Sequence, residues 1–263
     1  MVDAGNLAIL LVEPSEVQRR VISQHLADAG IKQLSTAASI DEAKQQILRL
    51  QPDLIASAMY FDDGTAHDLI AFLQSQPQLR ETSFMLVSSE YKAHQLEALK
   101  QSGIVAILPK PFTPEQLQRA VNATIELIEP TPLALQNFDV EDLRVLVVDD
   151  SITSRHFICR VLGNLGIDDI VEAEHAQQAI AILDQQHFDI IVTDFHMPDV
   201  NGRELAASIR QMPNHAHTPI LMITARTDEP QLANIKQSGI DALTDKPFEP
   251  ETLRRLLARL LDQ

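Results

Sequence analysis

Cysteine occurs once in this 263-residue chain, at Cys159. A single thiol cannot close an internal disulfide, and with no neighbouring cysteine it has no partner for binding zinc. Cys159 sits in an apolar helical stretch, so its expected role is packing. Long hydrophobic runs are also missing, since none approaches the roughly 20 residues that cross a bilayer. Met1 to Gly5 places no basic segment ahead of an apolar one, so no secretory signal is expected and the cytoplasm is the default location. Positive charge is scarce as well. With 21 Lys and Arg against 37 Asp and Glu, the net charge is −16, which speaks against nucleic acid as a partner because phosphate contacts need clustered Lys and Arg. The excess acid lies mainly in the second half, where a carboxylate metal site would add to it.

What is present fits a soluble globular protein, with 45% hydrophobic and 22% charged residues, and the length allows two domains. The chain also repeats itself. At a constant offset of 136, Lys100 to Phe112 (KQSGIVAILPKPF) falls on Lys236 to Phe248 (KQSGIDALTDKPF) with nine of thirteen positions identical. The same offset lays Leu10 to Ile31 on Leu146 to Ile167, pairing Ser15 with Ser151, Arg19 with Arg155 and Gly30 with Gly166. A repeat this long is a pair of domains, because solenoid repeats are typically about 20–50 residues. Between the copies, Leu127 to Asp142 holds Pro130 and Pro132 and no sustained apolar period, so it reads as a linker whose Leu133, Leu135 and Phe138 could pack onto a domain. The expected division is a first domain over 1–128, a linker over 129–142 and a second domain over 143–263.

Within the second copy, Val145 to Val148, Ile190 to Thr193 and Ile220 to Thr224 are nearly wholly apolar, as parallel strands covered on both faces are. Ile170 to Ala173 and Ala242 to Thr244 are weaker strand candidates. Helical periodicity fills Ser154 to Leu165, Ala176 to Gln185, Arg203 to Gln211, Gln231 to Gln237 and Glu251 to Leu261. Five strand–helix alternations predict an α/β domain with a doubly wound, five-stranded parallel sheet, whose ligands sit beyond the carboxyl ends of the strands. There the sequence concentrates its chemistry. Asp149 and Asp150 follow the first strand, Asp194 ends the third, Thr224 ends the fourth, and Lys246 with Pro247 follows the fifth. Three carboxylates brought together would repel unless a hard divalent cation sat among them, and Mg²⁺ suits oxygen ligands.

This ordered set resembles the receiver domain of bacterial two-component response regulators over all of Asp142 to Gln263. Asp149-Asp150 follows LRVLVV, Asp194 lies in IIVTDFHMPDVNG, Thr224 in ILMITA, and Lys246-Pro247-Phe248 closes the set, with spacings of 44, 30 and 22 residues from Asp150 onward. The resemblance implies two tandem flavodoxin-like (βα)5 domains. It makes Asp194 the phosphoacceptor, served by a phosphohistidine on a sensor histidine kinase or a histidine phosphotransfer protein. It implies Mg²⁺ held by Asp150, Asp194 and the backbone carbonyl of His196, with Asp149 acting mainly through a water. Lys246 would pair with a phosphoryl oxygen, Thr224 would move toward the phosphoryl group, and the small Ala225 would leave room for it.

In the first copy the offset places Glu13 and Pro14 at the acidic pair, Ala58 at the phosphoacceptor, Ser88 at the threonine and Lys110 at the lysine. Alanine has no nucleophile and Pro14 removes a metal-binding carboxylate, so this copy is expected to be a degenerate receiver that mediates dimerisation, docking or packing. Asp62 and Asp63 come four and five residues too late to replace Ala58. His215 and His217 in PNHAHTP read as a polar loop rather than a metal patch. Glu251 to Leu261 reads as one amphipathic helix, with Arg254, Arg255 and Arg259 on its exposed part as an interaction face.

The expected function is a response regulator of a phosphorelay with no DNA-binding output domain, acting on a downstream protein, with no membrane contact and with a homodimer allowed. It would not be an enzyme beyond accepting phosphoryl groups from small donors and releasing them. The alternatives are an aspartate-nucleophile phosphatase or phosphotransferase, a silent scaffold, or the receiver portion of a larger regulator such as a cyclic-dinucleotide cyclase. Response regulators often carry an aromatic residue three positions before the lysine, and here that residue is Leu243. The surface from Gln231 to Leu261 is therefore predicted to respond weakly to phosphorylation. Amide exchange with and without a phosphoryl mimic tests this, with comparable protection expected and a large change confined to Thr224 and its neighbours counting against it.

Overall fold

The computed structural model of the chain describes residues 4–89, 93–136, 138–225 and 239–262. It divides into two compact units, one of Met1–Leu99 with Ile104–Pro130 and the other of Lys100–Gly103 with Thr131–Gln263. Each contains its own five-stranded parallel sheet.

In the first unit β1 (Ala8–Val12), α1 (Glu16–Asp28), β2 (Gln33–Ala37), α2 (Ile40–Leu50) and β3 (Leu54–Ser57) come first. A small antiparallel hairpin, β4 (Tyr60–Phe61) and β5 (Gly64–Thr65), precedes α3 (Ala66–Ser75), and β6 (Ser83–Ser88), α4 (Ala93–Lys100), β7 (Ala106–Pro109) and α5 (Pro114–Ile128) follow. The spatial order is β2-β1-β3-β6-β7. Successive side chains of a strand face opposite ways, and β1 shows why its sequence is apolar throughout. Leu10 and Val12 join one buried cluster with Ile40, Ile47 and Leu69, whereas Ile9 and Leu11 join another with Ile22, Leu26 and Val121.

The second unit repeats the order with β8 (Arg144–Val148), α6 (Ile152–Asn164), β9 (Asp169–Ala173), α7 (Ala176–Leu183), β10 (Ile190–Asp194), α8 (Gly202–Ile209), β11 (Ile220–Thr224), β12 (Ala242–Asp245) and α9 (Pro250–Leu261). Its sheet runs β9-β8-β10-β11-β12, which is the flavodoxin-like order with a switch point between its first and third strands. The predicted strands and helices of this unit match these elements to within two residues at each end. The predicted helix Gln231 to Gln237 lies outside the described residues.

Register carries the fold to the site. Val148 of β8 pairs with Thr193 of β10, so the next residues, Asp149 and Asp194, emerge side by side at the carboxyl edge. Thr224 pairs with Asp245, which brings Lys246 to the same edge one residue later. Among the linker residues, Leu133 is buried and its N–H donates to the Leu165 carbonyl at 2.9 Å, while Phe138 is exposed. Cys159 on α6 is half-buried, and burial pushes its thiol up to about 12, in keeping with packing rather than reactivity.

His215 is no ligand patch. It is buried, its Nε2 lies 3.0 and 3.1 Å from the carbonyls of Leu183 and Gln186, and its Nδ1 is 3.3 Å from Thr218 Oγ1. The imidazole thereby ties the loop before β11 to the end of α7. Replacing it with alanine strands buried carbonyls, so His215→Ala is expected to lower the unfolding free energy by about 1–3 kcal/mol, read from chemical denaturation of the full chain.

Candidate phosphoacceptor site

Asp149, Asp150 and Asp194 each place a carboxylate oxygen within 4.8 Å of the others. Asp149 and Asp194 are wholly buried, whereas Asp150 is exposed. Lys246, itself 3% exposed, sets its Nζ 2.6 Å from Asp149 Oδ2 and 3.1 Å from Asp194 Oδ1. Its backbone N–H donates to the Thr224 carbonyl at 2.7 Å, and the Lys246–Pro247 bond is cis. Thr224 is buried at the end of β11 with its hydroxyl 3.4 Å from Nδ1 of the half-buried His196. Asp149, Asp150, Asp194, Thr224 and Lys246 thus meet at one edge of one sheet.

The electrostatics follow from burial. Desolvation raises the Asp194 carboxyl above its ordinary range, and Asp149 raises it further while Lys246 pulls the other way. Asp150 is raised for the same reasons, burial first and the Asp149 charge second. Asp194 Oδ1 is buried and, beside Lys246 Nζ at 3.1 Å, has no hydrogen bond of good geometry among the described residues. An oxygen left in that state, next to two more carboxylates, suits a hard cation.

Several supports were not singled out from the sequence. Arg155, 5% exposed, donates from Nη1 to the Asp149 carbonyl at 2.7 Å while its Nε binds Glu172 at 2.7 Å. This braces the turn after β8, and the pairing of Arg19 with Arg155 across the repeat was the available signal. Ser154 Oγ donates to Asp149 Oδ2 at 2.6 Å and the Ser151 N–H to Oδ1 at 2.9 Å. Ser151 also caps α6. Gly202 opens α8 behind an Asn201–Glu204 capping box, and a Cβ there would stand 2.1 Å from the Asp194 carbonyl oxygen. Only glycine lets α8 start this close to the Asp194 backbone.

In the first unit the equivalent edge is closed by protein groups. Lys110 Nζ lies 2.6 Å from Glu13 Oε2 and also donates to Gln18 Oε1. The Ser15 N–H donates to Glu13 Oε1 at 3.0 Å, Arg19 donates to the Glu13 carbonyl, and the Lys110–Pro111 bond is again cis. Ala58 is buried at the end of β3 and offers no nucleophile. Asp63 serves elsewhere, accepting from the N–H groups of Asp41 and Ile40 at the start of α2 at 3.0 and 3.1 Å, which hold its carboxyl below the ordinary range.

The family model for the response regulator receiver domain matches residues 9–122 and again residues 145–258. Chemotaxis protein CheY-3 of Vibrio cholerae is 32% identical over 123 residues, covering 47% of this chain and 95% of that protein. A chemotaxis protein CheY homolog of Campylobacter jejuni is 34% identical over 120 residues, 45% of this chain and 92% of that protein. Among solved structures, the receiver domain of a Pseudomonas aeruginosa sensor histidine kinase, described with a magnesium ion coordinated in the active-site cleft, is 26% identical and covers 46% of this chain and 98% of that one with a TM-score of 0.43. With one family model matched twice, over most of the sequence and once on each sheet, the chain belongs to the response regulator receiver domain family and carries two such domains in tandem.

Proposed function

We propose that the second unit is the phosphoacceptor of a two-component phosphorelay, taking a phosphoryl group onto Asp194 from a phosphohistidine of a sensor histidine kinase or a histidine phosphotransfer protein. The observation that supports this most directly is a wholly buried Asp194 whose Oδ1 meets Lys246 Nζ at 3.1 Å beside two further carboxylates. A carboxylate oxygen of Asp194 attacks phosphorus, the P–N bond breaks with its electron pair, and the departing imidazole takes up a proton. Such transfers run largely on positioning and charge neutralisation. Lys246 pairs with a phosphoryl oxygen, the Thr224 hydroxyl donates to another, and Ala225 leaves the space they need.

Asp149, Asp150, Asp194 and the backbone carbonyl of His196 would hold Mg²⁺, which when bound would neutralise charge on the phosphoryl oxygens. The trio fits a hard cation because its oxygens cluster within 4.8 Å. We read the chain as a phosphoacceptor rather than an enzyme turning over external phosphoesters, since the residue two past Asp194 is His196 and not a second carboxylate. The first unit, with Ala58, serves docking or dimerisation. Output passes to a downstream protein target in the cytoplasm, without nucleic acid or membrane. No helix among the described residues is long and apolar enough to cross one.

Two measurements test this reading. Incubation of the full chain with a small phosphodonor and Mg²⁺ is expected to place one base-labile phosphoryl group per chain and none on Asp194→Asn; equal labelling of the two would overturn it. Burial and like charge disfavour the ionised Asp194, so Asp194→Asn is expected to melt later than wild type in chelator at pH 7, by about 3 °C or more for roughly 1 kcal/mol. Because the Asp194 carboxyl is raised, its ionisation removes stability as pH rises, and the gap between the two proteins should narrow as the pH falls and wild type takes up its proton.

A further inference from the structure

Asp149 is held by more donors than a cation ligand needs. A carboxylate offers about four lone-pair sites. Here Oδ2 receives Lys246 Nζ at 2.6 Å and Ser154 Oγ at 2.6 Å, and Oδ1 receives the Ser151 N–H at 2.9 Å. The Ser151 contact belongs to the helix cap and Lys246 to the phosphoryl chemistry, which leaves the hydroxyl of Ser154 without a stated task. Ser154 is 3% exposed, so its hydrogen bond to a charged acceptor forms away from water, where such bonds are strong.

The repeat supplies an independent observation. The offset of 136 lays Ser154 on Gln18, and Gln18 also reaches the acid–lysine pair of its own unit, accepting from Lys110 Nζ beside Glu13. The same position on the first turn of the first helix therefore touches the pair in both units, but with opposite polarity. Where Ala58 offers no carboxylate, the position supplies an acceptor. Where Asp194 gives the lysine a second carboxylate, the position supplies a donor to Asp149 instead.

We propose that Ser154 is a positioning residue of the phosphoacceptor site, which by donating to Asp149 loosens that residue's hold on Lys246 and weakens the cluster's pull on a divalent cation. Of the two carboxylates, Lys246 Nζ lies closer to Asp149, at 2.6 Å, than to Asp194, at 3.1 Å. The hydroxyl takes up part of the Asp149 charge, which keeps the ammonium available to a phosphoryl oxygen on Asp194. Without it the ammonium is bound more tightly by Asp149 and the trio is more negative.

The proposal rests on the phosphoacceptor reading, and its test separates the two. Full-length wild type, Ser154→Ala and Ser154→Thr are titrated with Mg²⁺ by calorimetry and then labelled with a small phosphodonor at saturating Mg²⁺. Ser154→Ala is expected to bind Mg²⁺ about fivefold more tightly, as loss of one charge-assisted hydrogen bond allows, yet to label several-fold more slowly, and Ser154→Thr to restore both. A merely structural defect would weaken binding and labelling together. Unchanged or weaker Mg²⁺ binding by Ser154→Ala overturns the proposal. Absence of labelling on wild type overturns the phosphoacceptor reading alone, because the Mg²⁺ titration still decides the role of Ser154.

Discussion

One buried ammonium shared between two buried carboxylates is the constraint on which the second unit is organised. Two like charges about 4 Å apart repel by roughly 4 kcal/mol at an effective dielectric of 20, so Asp149 and Asp194 stand together only with compensation. Lys246 supplies it from 2.6 and 3.1 Å. That contact requires the parallel register of four strands, since the acids follow paired residues of β8 and β10 and the lysine follows the end of β12. It also requires Gly202, whose missing side chain lets α8 begin against the Asp194 carbonyl. The sheet, the turns and the helix start are thus parts of one electrostatic arrangement.

The first unit solves the same problem with fewer charges. Glu13 is one methylene longer than an aspartate and meets Lys110 at 2.6 Å, Gln18 adds a neutral acceptor, and Arg19 holds the Glu13 carbonyl as Arg155 holds that of Asp149. The framework around the lysine persists while Pro14 and Ala58 stand at the positions of Asp150 and Asp194. Retaining the pair is reasonable on energetic grounds alone, because a largely buried lysine stripped of its counter-charge destabilises a fold strongly.

Much of this was legible in the sequence because it rests on local rules. Continuous apolar runs marked the buried parallel strands, the constant offset exposed the duplication, and the placement of Asp149, Asp194, Thr224 and Lys246 at strand ends followed from the strand assignment. The missed groups act through geometry that no local pattern encodes. Ser154 looks like any polar residue in the first turn of a helix, and its 2.6 Å contact with Asp149 appears only when the turn is folded. Gly202 could be seen within a motif, but the 2.1 Å clash that a Cβ would make depends on how closely α8 approaches β10. The β4–β5 hairpin was also unforeseen, since each strand is two residues long and so short a run carries no periodicity.

The ion pair between Glu13 and Lys110 has a practical consequence. With its lysine answered by Glu13, the first unit has the strand order of the second and shares its solution and concentration, yet among the described residues it holds no such carboxylate trio. Each molecule therefore carries its own internal reference: a signal from one unit can be read against its near copy in the same chain, free of differences in preparation, buffer or dilution.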